Sequence, residues 1–140
     1  DGNAKMSKSL GNCIYLSDTK EALKEKVMRM YTDPKRIHPT DPGEGEGNPV
    51  FIYHNIFNSN KAEVKDLEER YKKGKVGDVE VKEKLFLALD AFLRPIREKR
   101  RYYEENPKIV KEILFEGTEK TRVEAKKIFE KVKEAMRINY

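Results

Sequence analysis

The sequence predicts an all-α protein, and two observations favour that class. Charged residues make up 39% of the 140 positions and hydrophobic residues 37%, so the apolar side chains must be concentrated on helix faces rather than spread evenly. From residue 18 onwards, apolar residues recur at helical spacing in several segments. Because a chain of this length can bury one modest core, we expect a single domain of five or six helices.

The first 17 residues are expected to form a loop that leads into a short extended segment over 13–16, because glycines interrupt a run with little periodicity. Ser17 and Asp18 are candidate N-caps for a helix over about 18–31. Four of the six prolines and three glycines then fall between residues 33 and 49, which predicts a long loop.

The second half of the chain reads as a series of helices. Asn48-Pro49 places an N-cap before a proline at the first helical position, so a short apolar helix should begin there. A polar helix over about 61–73 and a longer one from Asp78 are expected to pack as a hairpin, and the longer one should continue through Pro95. Near the C-terminus, Gly117 is expected to separate two further helices.

Composition excludes several classes of protein. The net charge of +5 permits binding to nucleic acid, but 25 acidic residues interleave with the 30 basic ones, so only local clusters are informative. Cys13 is the single cysteine, which excludes an internal disulfide and favours a reducing, cytoplasmic setting. No apolar run approaches the ~20 residues that span a bilayer. Asp1 begins the chain in a loop-like context, so we expect a segment of a longer protein.

Neither histidine is a convincing metal ligand. His38 lies in the proline-rich loop and His54 on the short apolar helix, and neither has a second histidine or a cysteine at metal-ligand spacing. Both are expected to be structural, and we expect no metal site.

The segment Lys5-Met6-Ser7-Lys8-Ser9 carries the clearest chemistry. It places two ammonium groups three residues apart, with hydroxyl groups beside them, on a loop flanked by glycines. Such a loop can fold over a polyphosphate, where its cations stabilise the charge that develops when ATP is split between its α and β phosphates. For five residues taken alone, a solvated basic turn is the better interpretation, so the surrounding sequence decides.

That surrounding sequence resembles the tryptophanyl members of the class I aminoacyl-tRNA synthetases. The pentapeptide matches the second signature of class I enzymes, KMSKS, and the segment from Leu10-Gly11-Asn12 to Asp18 resembles the residues directly after this signature in the tryptophanyl members. Four later segments are similar in the same order: Asn48-Pro49-Val50, Gly77-Asp78, Leu93 to Glu98, and Leu114 through Ala125. The resemblance covers nearly the whole chain.

This resemblance implies that residues 1–17 form the KMSKS loop and the end of a Rossmann-type catalytic domain, and that residues 18–140 form a helical C-terminal domain of the anticodon-binding type. Lys5 and Lys8 would be catalytic, with Lys8 as the principal ATP contact. All five motif residues would bind ATP, with Met6 anchoring the loop and Ser7 and Ser9 shaping it.

The resemblance also implies substrates and partners. The intact enzyme, expected to be a homodimer, would use ATP with Mg²⁺ to activate tryptophan and would transfer it to tRNA(Trp). This chain alone is expected to be inactive, because the tryptophan pocket lies in the catalytic domain. No iron-sulfur cluster is expected, since Cys13 is the only cysteine.

The densest basic cluster consists of Arg94, Arg97, Arg100 and Arg101, which Tyr102 and Tyr103 follow. Basic side chains near tyrosines can contact the phosphates and stacked bases of a single-stranded loop such as an anticodon. Alternatively, the cluster is a solvated helix end whose arginines cover apolar surface. Likewise, the segment 33–36 either approaches tRNA phosphates or forms a polar turn.

Three rival interpretations remain open from the sequence. The chain could be a stand-alone helical RNA-binding module without catalysis, or a purely structural helical domain. It could also be the corresponding part of a tyrosyl-tRNA synthetase, which is the nearest competitor within the class.

Overall fold

The computed structural model describes residues 4–138, which form five helices and no strand. The helices are α1 (Lys20–Met28), α2 (Pro49–Phe57), α3 (Lys61–Lys72), α4 (Asp78–Glu105) and α5 (Pro107–Met136). The all-α prediction is therefore confirmed, although the first three residues of the predicted N-terminal loop lie outside the described residues. The chain divides into two compact units, residues 1–98 and 99–140. The division into domains 1–17 and 18–140 stays a prediction.

The helix starts follow local capping chemistry. Asn48 accepts a hydrogen bond from the backbone N–H of Val50 at 3.0 Å, and Pro49 occupies the first turn of α2, as predicted. Helix α1 begins later than predicted, because its N-cap is Thr19 rather than Ser17 or Asp18. The Thr19 hydroxyl accepts from the backbone N–H of Ala22 at 3.2 Å.

The core of the first unit lies among α1, α2, α3 and the first half of α4. Its fully buried side chains include Leu23 of α1, Phe51 of α2, Leu67 of α3 and Leu85 of α4. Ion pairs between Glu63 and Lys84 and between Arg70 and Glu80 join α3 to α4 at two levels. The expected hairpin of these two helices is therefore present.

The proline-rich loop is fixed by Arg36, whose guanidinium group is fully buried. It pairs with the carboxylate of Asp78 at 3.1 Å and lies 4.0 Å from the centroid of the Tyr71 ring. It also donates to three backbone carbonyls, each at 2.8 Å, those of Pro39, Asp41 and Val76. The interpretation of segment 33–36 as a tRNA contact is thus wrong for Arg36, because its positive charge is enclosed by the protein.

Tyr71 completes this arrangement from α3. Its hydroxyl donates to Asp78 at 2.9 Å, and burial raises its pKa to about 12. The loop backbone approaches the ring closely at Gly43, where an added Cβ atom would lie 2.2 Å from Tyr71 Cε1. Only a residue without a side chain fits there.

A second buried cation, Lys82 of α4, ties down the segment that follows α1. Its ammonium group donates to the carbonyl of Met30 and the hydroxyl of Thr32, both at 2.7 Å, and to the carbonyl of Met28 at 3.3 Å. Burial lowers the pKa of Lys82. The three oxygens provide the hydrogen-bond acceptors that the buried ammonium group needs, and the same bonds hold the segment after α1 in place.

Helix α5 in the second unit is continuous, so the predicted break at Gly117 is wrong. A single glycine costs only about 1 kcal/mol within a helix, and the flanking sequence is rich in good helix formers. The Thr118 and Thr121 hydroxyls donate to the carbonyls one turn earlier, those of Leu114 and Gly117. No described residue of α5 is buried. Among the described residues, no helix has the combination of length and apolar character that a membrane crossing requires.

His54 of α2 is fully buried and has a structural role, as expected. Its Nε2 donates to the carbonyl of Val81 at 2.9 Å, while Nδ1 accepts from the amide of Asn58 at 3.3 Å. Both ring nitrogens are used by the neutral form, and burial lowers the pKa of His54.

We predict that His54 makes stability depend on pH. Since its pKa in the folded protein lies below the ordinary value of 6.5, its contribution is complete above that pH and is lost as the pH falls through the folded-state pKa. The slope for one proton is at most about 1.4 kcal/mol per pH unit. Urea unfolding between pH 7.5 and 5 should therefore show a shallower pH dependence for His54→Gln than for wild type.

The exposed His38 provides the matched control, and His38→Gln should leave the pH profile as in wild type. An unchanged profile in His54→Gln would contradict a buried neutral imidazole.

Candidate functional site

The predicted motif lies on an irregular loop that is closed by short-range hydrogen bonds. The backbone N–H of Ser7 donates to the Asn12 side chain at 2.8 Å, and the Asn12 amide donates to the carbonyl of Lys5 at 3.3 Å. The Ser7 and Ser9 hydroxyls lie 2.7 Å apart and share a hydrogen bond. Hydrogen bonds from the Asn12 side chain and between the two serine hydroxyls therefore close the loop that carries the motif.

Both lysines of this loop are exposed. Within residues 4–138, neither the Lys5 nor the Lys8 ammonium group takes part in an ion pair, whereas fourteen other ion pairs are formed. Their charges are thus available to an external anion. An anion with several oxygens spaced like those of a polyphosphate is well suited to two such cations.

The loop contacts the helical unit through Met6. The Tyr53 hydroxyl of α2 donates to Met6 Sδ at 3.6 Å. Met6 as a whole is 60% exposed to solvent. A cleft lined in part by Cys13, Met30 and Tyr53 lies behind this contact. This hydrogen bond joins the loop to α2 at Met6.

Asp18 holds the downstream end of the loop far more firmly. Its carboxylate accepts two hydrogen bonds from Lys26 Nζ, at 2.8 and 2.6 Å, and a third from the backbone N–H of Tyr15 at 2.8 Å. The Lys26 ammonium group also lies 4.3 Å from the centroid of the Tyr15 ring. The 9% exposed carboxylate thus joins the end of the loop to α1.

Two of the four predicted tRNA contacts, Arg94 and Arg97, belong to the first unit. Arg97 is only 18% exposed, forms an ion pair with the buried Asp90, and donates to the carbonyl of Asp18 at 3.3 Å. Arg94 is 63% exposed and lies 3.7 Å from Asp90. These contacts assign Arg97 to holding α4 against the start of α1, while Arg94 stays open to solvent.

The other two predicted contacts, Arg100 and Arg101, belong to the second unit. Arg100 is paired with Glu104 at 2.7 Å. Arg101 is exposed and has no ion pair within the described range. The Tyr102 ring is 51% exposed and packs edge-on against Tyr103, with centroids 5.3 Å apart. An exposed arginine followed by an exposed aromatic ring is a combination that suits single-stranded RNA.

Three residues that shape the site were not identified from the sequence. Asn12 lies three residues after the motif, but an asparagine in a loop gives no sign of which backbone groups it binds. The sequence predicts Asp18 as a helix cap and gives no sign that Tyr53 contacts the loop. Only their contacts across 3 to 47 residues of sequence reveal their roles.

Metal binding by the described part of the chain finds no support in the geometry. Among residues 4–138, no group of three or more His, Cys, Asp or Glu side chains is arranged to hold an ion.

Comparison with known proteins places this geometry in context. Residues 1–94 match the family described as "tRNA synthetases class I (W and Y)". The tryptophan-tRNA ligase of Borreliella burgdorferi is 59% identical over 134 residues, covering 95% of this chain and 38% of that protein. The corresponding ligase of Treponema pallidum is 53% identical over 136 residues, covering 97% and 40%.

A solved structure agrees with these sequence matches. The tryptophanyl-tRNA synthetase of Campylobacter jejuni, in complex with ADP and tryptophan, superposes with a TM-score of 0.82 at 32% identity, covering 95% of this chain and 41% of that one. The chain thus spans about two fifths of the length of the relatives it matches.

Proposed function

The chain belongs to the class I tRNA synthetases of the tryptophan and tyrosine group, and on this premise we propose that it is the C-terminal part of a cytoplasmic tryptophan-tRNA ligase. The whole enzyme would activate tryptophan with ATP and transfer it to tRNA(Trp). The observation that carries the proposal is the closed loop whose two exposed lysines form no ion pair within residues 4–138. It lies in a chain of which 95% aligns with such a ligase.

The chemistry proposed for the loop is charge stabilisation. When the tryptophan carboxylate attacks the α-phosphate of ATP, the bond to the β-phosphate breaks and negative charge accumulates on the departing pyrophosphate. Lys8, assisted by Lys5, would neutralise that charge. A cation that stabilises the transition state more than the ground state accelerates the reaction. Mg²⁺ would arrive with the ATP phosphates.

Tryptophan is favoured over tyrosine as the amino acid. The matched family includes both specificities, but the relatives from Borreliella burgdorferi, Treponema pallidum and Chlamydia caviae are all tryptophan-tRNA ligases. The Campylobacter structure carries tryptophan together with ADP, which supports the same assignment and a loop that works beside an adenine nucleotide.

For tRNA binding we propose Arg94, Arg100 and Arg101 as phosphate contacts, with Arg101 as the strongest candidate because its charge is unpaired within the described residues. Arg97 would act within the first unit, through Asp90 and the carbonyl of Asp18. The enzyme would act as a homodimer.

Replacing Lys8 by alanine in the full-length enzyme should lower the kcat of tryptophan-dependent pyrophosphate exchange by roughly 10- to 150-fold, the equivalent of one charge-assisted contact in the transition state. The KM for ATP should change little, since the contact forms as the charge develops. Lys65→Ala, which removes an exposed lysine of α3, is the control and should exchange pyrophosphate at the wild-type rate. Wild-type turnover in Lys8→Ala would contradict the assigned role.

Replacing Arg101 by alanine should weaken tRNA(Trp) binding by the full-length enzyme and lower the slope of log K against log salt by about 1, as expected for one lost phosphate contact. Filter binding from 50 to 300 mM salt measures that slope. Arg97→Ala should reduce thermal stability with little change in slope, because the side chain is already paired with Asp90. An unchanged slope in Arg101→Ala would remove Arg101 from the tRNA interface.

A further inference from the structure

The side-chain amide of Asn12 reaches both halves of the lysine motif. Its Oδ1 accepts from the backbone N–H of Ser7 at 2.8 Å, and its Nδ2 donates to the carbonyl of Lys5 at 3.3 Å. These bonds flank Met6, so one side chain beyond the motif is joined to the two positions on either side of that methionine. Residues 5–12 themselves form no helix or strand. The amide therefore supplies contacts that regular backbone pairing supplies elsewhere.

A tight turn brings Asn12 back to the start of the motif. The backbone N–H of Gly11 donates to the carbonyl of Lys8 at 3.2 Å, and Gly11 adopts a φ of 63°. Glycine occupies this left-handed conformation without the strain that a side chain would introduce. The turn therefore bonds the carbonyl of Lys8 to the residue that directly precedes Asn12.

We propose that Asn12 is a positioning residue for the catalytic lysines, an inference that rests on the proposed function. A lysine side chain has many rotamers, so its ammonium group meets a developing charge efficiently only when the backbone that carries it is already held in place. The two hydrogen bonds of the Asn12 amide, which we call the Asn12 clasp, hold the backbone at Lys5 directly. They hold Lys8 through the turn at Gly11.

The chemistry of the clasp requires an amide. One atom must accept from Ser7 and the other must donate to the Lys5 carbonyl, and asparagine supplies both on one short side chain. A carboxylate would keep the acceptor but lose the donor, and it would bring negative charge towards the phosphate site. Asn12→Asp therefore removes one half of the clasp with almost no change in size.

The test is a double-mutant cycle with Lys8 in the full-length enzyme, measured by tryptophan-dependent pyrophosphate exchange. Asn12→Ala should lower kcat by about tenfold, with the KM for ATP within about twofold of wild type. In the Lys8→Ala background, the same substitution should lower kcat by a clearly smaller factor, because only the assisting Lys5 remains to be positioned. Asn12→Asp should behave like Asn12→Ala.

Asn55→Ala is the control, since it removes an exposed asparagine side chain that bonds to Glu68 at 2.9 Å outside the loop, and it should exchange pyrophosphate at the wild-type rate. If Asn12→Ala slows exchange by the same factor with and without Lys8, or if Asn12→Asp keeps the wild-type rate, the positioning role is overturned while the proposed function stands. If Lys8→Ala alone leaves kcat unchanged, the role proposed for Lys8 fails and the positioning of Lys8 fails with it.

Discussion

One buried guanidinium group, that of Arg36, supports the part of the first unit that has the least regular structure. Residues 29–48 contain no helix or strand, so their backbone polar groups are satisfied by local turns and by tertiary contacts. Arg36 gathers carbonyls from this loop and from Val76, pairs with Asp78 and stacks on Tyr71. Because the loop leads directly into α2, its position also affects where the Tyr53 hydroxyl meets Met6 of the lysine motif. Arg36, which stabilises the fold, therefore also affects the position of the lysine motif through Tyr53.

Local chemistry in the sequence was sufficient to predict most helices. The Asn48-Pro49 start of α2 needs only a side-chain acceptor and a fixed φ, both visible in two adjacent residues. The buried cations could not be predicted, because Arg36 meets Asp78 across 42 residues and Lys82 meets Thr32 across 50. Nothing in a local pattern distinguishes these two residues from the many solvated ones. Gly117 misled the prediction for the opposite reason, since a local signal for a break was outweighed by the helix formers around it.

The candidate site shows the same limit at a finer scale. The lysine motif was recognised from five residues and their context, yet its closure by Asn12 depends on side-chain geometry that no spacing rule contains. Arg97 and Arg101 look alike in the sequence, but the structure buries one against Asp90 and leaves the other exposed. A charge cluster thus indicates where nucleic acid could bind, and the ion pairs within it decide which charges are free to do so.

The dependence of the fold on Arg36 is tested most directly by urea unfolding of Arg36→Met beside Arg29→Met. Arg29 is 78% exposed and pairs with Glu25 at the end of α1, so its loss should cost under about 1 kcal/mol. Loss of Arg36 leaves Asp78 without its cation and three carbonyls without their donor, which should cost about 3–5 kcal/mol. Equal unfolding free energies for the two variants would contradict the account.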